Sequence, residues 1–243
     1  PIEGGLKFDG VSHYVEFPDV FNIAKNNQSF SFAIDFELLS FNPVADLLLA
    51  KMSFAASKGM YLQINENAIN FQIFVPAAPN FPLATTVNLN DRKKLIVTCS
   101  PTNLSIYYNG LSASYNVSGI AQNFENTSPL VIGGQVESGL TNFSSNAIVY
   151  DLAIWDSALS PIEVADILAG NTPTTPMQAH YQFNENDGFV ASDSIGSNNG
   201  SLQNYTLLQV TLGTSNHWVD SSGNPKLNGY SNFPITNVST FTY

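Results

Sequence analysis

Ser29-Phe30-Ser31-Phe32-Ala33-Ile34-Asp35-Phe36-Glu37-Leu38 puts a large apolar residue at every even position and a small or polar one at most odd positions. Successive side chains of a strand point to opposite faces, so this period of two describes a half-buried strand. The pattern returns in Met60-Tyr61-Leu62-Gln63-Ile64, which ends in the turn-forming Asn65-Glu66-Asn67. Residues 68–75 read as its hairpin partner, with Ile69, Phe71, Ile73 and Val75 on one face. Residues 95–99 and 104–108 pair around Ser100-Pro101-Thr102-Asn103, and Asn109-Gly110 then turns the chain back through residues 111–117. Residues 130–133 and 148–155 supply further strands, and His180-Tyr181-Gln182-Phe183 another.

One helix interrupts this series. Ser160-Pro161-Ile162-Glu163 combines an N-cap hydroxyl, a first-turn proline and the reciprocal acid of a capping box. Ile162, Val164, Ala165, Ile167 and Leu168 give it an apolar stripe, and Gly170 stops it. Many strands with one late, short helix near residues 160–169 predict an all-β, antiparallel two-sheet sandwich. The sandwich is expected over residues 1–205. Residues 206–243 are rich in Asn, Ser, Gly and Thr yet carry Trp218, Tyr230, Phe233, Phe241 and Tyr243. Disordered tails are poor in aromatics, so this stretch reads as an ordered extension packed on the sandwich or on a neighbour.

Apolar residues make up 44% of the 243, enough for a sizeable core, whereas charged residues make up only 11% against about 25% in typical soluble domains. The net charge of −11 repels phosphate backbones and anionic headgroups, which argues against nucleic acid as a partner. No apolar run reaches the length of a membrane span, and no signal peptide is visible. The chain begins at Pro1, as a processed form or fragment would. Cys99 is the single cysteine, expected to be a buried core residue, so no intrachain disulfide forms.

Several segments together resemble the laminin-G-like branch of the concanavalin A-like lectin/glucanase superfamily. Leu6-Lys7-Phe8-Asp9-Gly10 through Tyr14-Val15-Glu16-Phe17 resembles its opening strand pair, and residues 30–36 the strand that follows. Leu104 to Gly110 matches a Leu-x-Leu-Tyr-Val-Asn-Gly hairpin, and Val131-Ile132-Gly133-Gly134 an apolar-Ile-Gly-Gly strand. Tyr150-Asp151-Leu152-Ala153-Ile154-Trp155-Asp156-Ser157-Ala158-Leu159-Ser160 is similar to the final strand and its helix. Tyr181-Gln182-Phe183-Asn184-Glu185 with Asp193 to Gly200 resembles a stretch often found beside these domains. The resemblance implies a jelly-roll sandwich. Arg92-Lys93-Lys94 stands where the family often has Trp-His-His, and Tyr150-Asp151 where Asp-Glu is common.

Glycoside hydrolysis needs two carboxylates facing one bond. The Glu-x-Asp-x-x-Glu string of laminarinase-type relatives is missing, and Asp35 and Glu37 read as solvent-facing alternates of their strand. Lys58-Gly59-Met60-Tyr61-Leu62-Gln63 falls one residue short of the string used by alginate lyases of this fold. His13, His180 and His217 show no metal spacing. No enzyme is expected. The resemblance implies one structural calcium, with Asp9 and Asp151 as the matching acids. Sugar recognition combines an aromatic platform with neutral hydrogen-bonding groups. Tyr61, Gln63, Asn70 and Gln72 alternate with core residues and would share one sheet face; Tyr107 and Trp218 are further candidates. The sequence therefore reads as a non-catalytic lectin-like or adhesion module binding a glycan or surface polysaccharide. Its expected place is extracellular, on a cell surface or on a virion such as a phage. The alternative is a structural virion or surface subunit that forms a homo-oligomer or docks on assembly neighbours through its C-terminal extension.

Overall fold

The computed structural model describes residues 4–42, 46–53, 56–73, 80–118, 125–137, 140–142, 144–185, 188–205 and 218–220. In chain order its elements are β1 (Gly4–Lys7), β2 (Tyr14–Phe17), β3 (Phe30–Ser40), β4 (Asp46–Ser53), β5 (Lys58–Asn65), β6 (Ala68–Ile73) and β7 (Asn80–Ala84). There follow β8 (Lys93–Cys99), β9 (Asn103–Tyr108), β10 (Leu111–Asn116), β11 (Leu130–Ile132), β12 (Gln135–Glu137), β13 (Leu140–Asn142) and β14 (Asn146–Trp155). The helix α1 (Pro161–Leu168) precedes β15 (Ala179–Tyr181), β16 (Val190–Ala191), β17 (Gly200–Gln203) and β18 (Trp218–Asp220).

Two antiparallel sheets face each other. Among the described residues the first runs β10-β9-β8-β3-β14-β1-β18, with β15 also on β14. The second runs β16-β17-β2-β11-β4-β5-β6-β7, and β12 and β13 form a separate hairpin. The even residues of β3 fill the space between the sheets: Phe30, Phe32, Ile34, Phe36 and Leu38 are all in the main core. Phe71 of the second sheet meets Phe30 and Phe32 with ring centroids 6.4 and 6.5 Å apart. The expected sandwich and its strands at β3, β5, β6, β8, β9, β10, β11 and β14 stand. Val75 lies outside the described residues. Cys99 is buried in the core, and desolvation pushes its thiol pKa up to about 12.

Gly133 ends β11 for a steric reason. Its φ of +88° is a left-handed conformation, and a Cβ there would meet the Phe8 ring at 2.1 Å. Only glycine supplies both the backbone angle and the space.

Edge strands carry what the alternation missed. β7 contains Pro82, which cannot donate to a ladder, and among the described residues β7 pairs only with β6. The Tyr115 hydroxyl of β10 donates to the Pro82 carbonyl, joining the free edges of the two sheets. Of the extension, only Trp218–Asp220 is among the described residues. It pairs antiparallel with β1 through Gly4↔Asp220, Gly5↔Val219 and Leu6↔Trp218.

The helix begins with both halves of its capping box in place. Its buried face is narrower than the expected stripe, comprising Val164 and Ile167, while Ile162 is 76% exposed. The reason is the surface beneath it: Ala33, Ile96, Ala153, Trp155 and Leu159 form a small cluster on the outer face of the first sheet. Two residues one turn apart cover that cluster. Glu163 does more than cap. Its Oε2 accepts from Ser160 N–H and Oγ at 2.9 and 2.8 Å, and its Oε1 from Thr175 N–H and Oγ1 at 2.9 and 2.5 Å. Thr175 and Ser160 together hold its pKa down to about 2.

Because the folded pKa of Glu163 lies below its ordinary 4.5, this contribution is complete above that pH and is lost as pH falls toward 2. Glu163→Gln should cost about 1 kcal/mol at pH 7, in the range of lost caps. Thermal melts across pH should show the gap between variant and parent close between pH ~4.5 and ~2.

Candidate functional site

The outer faces of the two sheets differ in chemistry. On the second sheet, register brings the predicted polar side chains together: Tyr61 lies opposite Gln72, and Gln63 opposite Asn70. β7 extends the strip, with Asn80 opposite Gln72. Gln63, Asn70 and Gln72 are half-buried, the ordinary state of polar residues on an open strand face. Tyr61 packs at the border of a small apolar cluster of Tyr14, Leu47, Ala50, Met52 and Val131, and burial raises its phenol pKa. The strip is thus a row of neutral amides beside an aromatic edge.

Two other predicted ligand residues are not on this strip. Tyr107 belongs to β9 of the first sheet and packs against the cluster beneath α1. Trp218 opens β18 at the far edge of the first sheet, where its backbone pairs with Leu6. His217 lies outside the described residues.

The first sheet's outer face holds a cavity of about 430 Å³ between β3, β8, β14, β15 and the chain after α1. Its charged lining is Asp35, Arg92, Lys94, Asp151 and His180. A register shift in β14 between Val149 and Asp151 leaves Tyr150 as the extra residue, so Asp151 comes to lie opposite Asp35. Two carboxylates directly opposite each other repel. Each is met by its own basic partner. Arg92 holds Asp35 with Nε–Oδ1 at 3.1 Å and Nη2–Oδ2 at 2.9 Å, and lies 4.0 Å over the Tyr150 ring. His180 Nε2 lies 2.7 Å from Asp151 Oδ2, and this bond raises the His180 pKa above its ordinary 6.5. Glu37 accepts from the Tyr150 hydroxyl at 3.0 Å. Asp35 and Glu37 alternate outward from the core as expected, but both are half-buried and engaged by neighbouring side chains.

The expected calcium pair is not a pair. β1 and β14 are antiparallel with Leu6↔Val149 and Lys7↔Ile148, so Asp9 and Asp151 run away from that crossing in opposite directions. Asp9 Oδ1 accepts from the N–H groups of Val11, Ser12 and His13 at 2.8–2.9 Å, folding its own turn. Asp151 is taken by His180. These acids do not fit one shared ion. Among the described residues no three His, Cys, Asp or Glu side chains cluster as ligands. A different group has the oxygen chemistry a hard cation selects: Asp46 Oδ1, Gln135 Oε1 and Ser145 Oγ are buried without a hydrogen-bond partner. Asn42 donates to Asp46 Oδ2 and to the Ser144 carbonyl, and Ser145 N–H donates to the carbonyl of Gly133, two residues before Gln135. Gln135 Nε2 is unpaired as well, and because buried polar atoms are normally paired, orphans on these three residues call for an explanation.

The laminin-G-type family model described as "Concanavalin A-like lectin/glucanases superfamily" matches residues 9–165. The chain belongs to this superfamily. Solved structures agree on the concanavalin A-like fold. A putative carbohydrate binding protein from Bacteroides ovatus superposes with TM-score 0.65 at 16% identity, covering 84% of this chain and 59% of that one. The IT-sialidase CBM40 of Ruminococcus gnavus, bound to α2,3-sialyllactose, superposes at 0.56 and 11% identity, covering 68% and 96%. A heptameric SAP-like pentraxin from Limulus polyphemus superposes at 0.52 and 12%, covering 70% and 83%. No curated protein matches this chain. No helix among the described residues is long and apolar enough to cross a membrane.

Within this concanavalin A-like sandwich, sequence reasoning missed the cavity, though it carried a signal. Arg92-Lys93-Lys94 holds three of only eight basic residues in the chain. Asp151→Asn should lower the His180 pKa, because the carboxylate that stabilises the imidazolium is gone. An NMR pH titration of the His180 ring reads this directly, and an unchanged midpoint would remove Asp151 as the cause.

Proposed function

We propose that the chain is a non-catalytic, extracellular glycan-binding module that presents the outer face of its second sheet to neutral sugars. The observation that carries this reading is the cross-strand register bringing Tyr61, Gln72, Gln63 and Asn70 into adjacent pairs. Sugar rings offer C–H faces to an aromatic edge and hydroxyl groups to amides, each of which both donates and accepts. Membership in a lectin-containing superfamily, and fold neighbours named as carbohydrate-binding, support it. The assembly alternative draws no comparable support, since the described part of the extension pairs with the chain's own β1.

A structural calcium belongs to the same reading, held by Asp46, Gln135 and Ser145 rather than by Asp9 and Asp151. Leu47 lies opposite Gln63, so an ion at Asp46 would brace the end of the strip. One carboxylate among neutral oxygens makes a weak site, with Kd about 10⁻⁴–10⁻³ M, as in extracellular calcium modules.

A neutral-polysaccharide pull-down and glycan array test the strip. Replacing Gln63 and Gln72 together by Ala should weaken binding about tenfold or more, at about 1 kcal/mol per lost hydrogen bond, with Tm nearly unchanged. Full binding by the double variant would move the site elsewhere, and binding to no glycan would overturn the reading. Calcium at 5 mM (about tenfold above a mid-range Kd) should raise Tm of the parent but not of Asp46→Asn; an equal rise in both would remove Asp46 as a ligand.

A further inference from the structure

We propose that the cavity on the outer face of the first sheet is a second sugar site, for a saccharide bearing one anionic group, with the Lys94 ammonium as its recognising cation. The argument starts from charge accounting within the cavity. Asp35 is held by Arg92 through two hydrogen bonds, and Asp151 by His180 through one. Both acids are therefore engaged. Lys94 lies opposite Asp35 on the neighbouring strand and lines the same cavity, yet among the described residues it forms no hydrogen bond or ion pair. In a chain with net charge −11 and only eight Lys and Arg, two of those cations line this one cavity. An unpartnered ammonium in a recess whose carboxylates are already hydrogen-bonded to other side chains is a ready place for an incoming carboxylate or sulfate.

The rest of the lining suits the body of a sugar. Asn171, Thr172, Gln182 and Asn184 add amides and a hydroxyl to the lining. The walls are fixed before any ligand arrives. Glu163 and the Trp155 Nε1–H, which donates to the Thr175 carbonyl at 3.1 Å, hold the segment after α1. Asp193 Oδ1 accepts from His180 N–H at 3.1 Å and fixes the opposite wall. Fixed walls reduce the ordering cost of binding. The volume of about 430 Å³ accommodates a mono- or disaccharide. A long polyanion is disfavoured, because its remaining charges would run over a strongly acidic surface. A single anion within the cavity is screened from distant acids beyond about 8 Å at physiological salt.

This site is independent of the strip on the second sheet, and the experiment separates the two. NMR titrations at physiological salt compare methyl glucuronide, methyl glucoside 6-sulfate and neutral methyl glucoside, which share one ring and differ only at carbon 6. The two anionic probes should shift amides of β8, β14 and β15 and bind more tightly than the glucoside. Whichever anionic probe binds better identifies the group as carboxylate or sulfate ester. Lys94→Gln should weaken the anionic probes about tenfold, the worth of a charge-assisted bond in a screened site, without lowering Tm, since Lys94 has no partner to lose. Lys94→Arg should retain most of the affinity. Equal binding of all three probes, or undiminished anionic binding by Lys94→Gln, overturns the inference. If anionic binding is instead lost in the Gln63 and Gln72 variant, the inference fails while the glycan-binding reading stands.

Discussion

The extra residue in β14 sets the character of this molecule. In strict alternation, Ala147 and Val149 facing the core would be followed inward by Asp151, placing a carboxylate between two apolar sheets. The register shift between Val149 and Asp151 prevents this. It leaves Tyr150 over and restores inward positions to Leu152 and Ile154, both fully buried in the main core. A bulge that adds one residue reverses the facing of everything after it. The same step sets Asp151 beside Asp35 on the outer face. Arg92 and His180 then hold the two acids, and the Tyr150 ring supports the guanidinium.

Two outer faces of opposite character result. One carries α1, an apolar patch beneath it and a charged recess at its end. The other carries neutral amides in cross-strand pairs. A sandwich builds its core from inward residues alone, so outward residues are free to diverge, and fold membership by itself leaves the choice of ligand open.

Much of the architecture was legible because it rests on period two and on turn chemistry. Phe30 to Leu38, the Asn109-Gly110 hairpin and the capping box at Ser160 each announce themselves locally. The polar strip was legible too, since Tyr61 and Gln63 share parity and β6 follows through a short turn. The charged cavity was not, because it depends on pairings between residues as distant as Asp35, Lys94, Asp151 and His180. Nor were the buried orphans, as nothing in the run after Asp46 marks that acid as enclosed. β7 was hidden by Pro82, and the shortest strands by having too few residues to show a period. Asp9 and Asp151 looked like partners from the family pattern, but antiparallel pairing of β1 with β14 carries them apart.

The pairing of Trp218–Asp220 with β1 has a consequence for how the chain tolerates shortening. β1 is hydrogen-bonded to β14 on one side, and β18 occupies the other. A chain cut anywhere before Trp218 would leave that row of amides and carbonyls open along Gly4, Gly5 and Leu6. Exposed edges of this kind recruit strands from other molecules. The segment thus works as a self-supplied seal, and a trimmed sandwich trades a closed border for a sticky one.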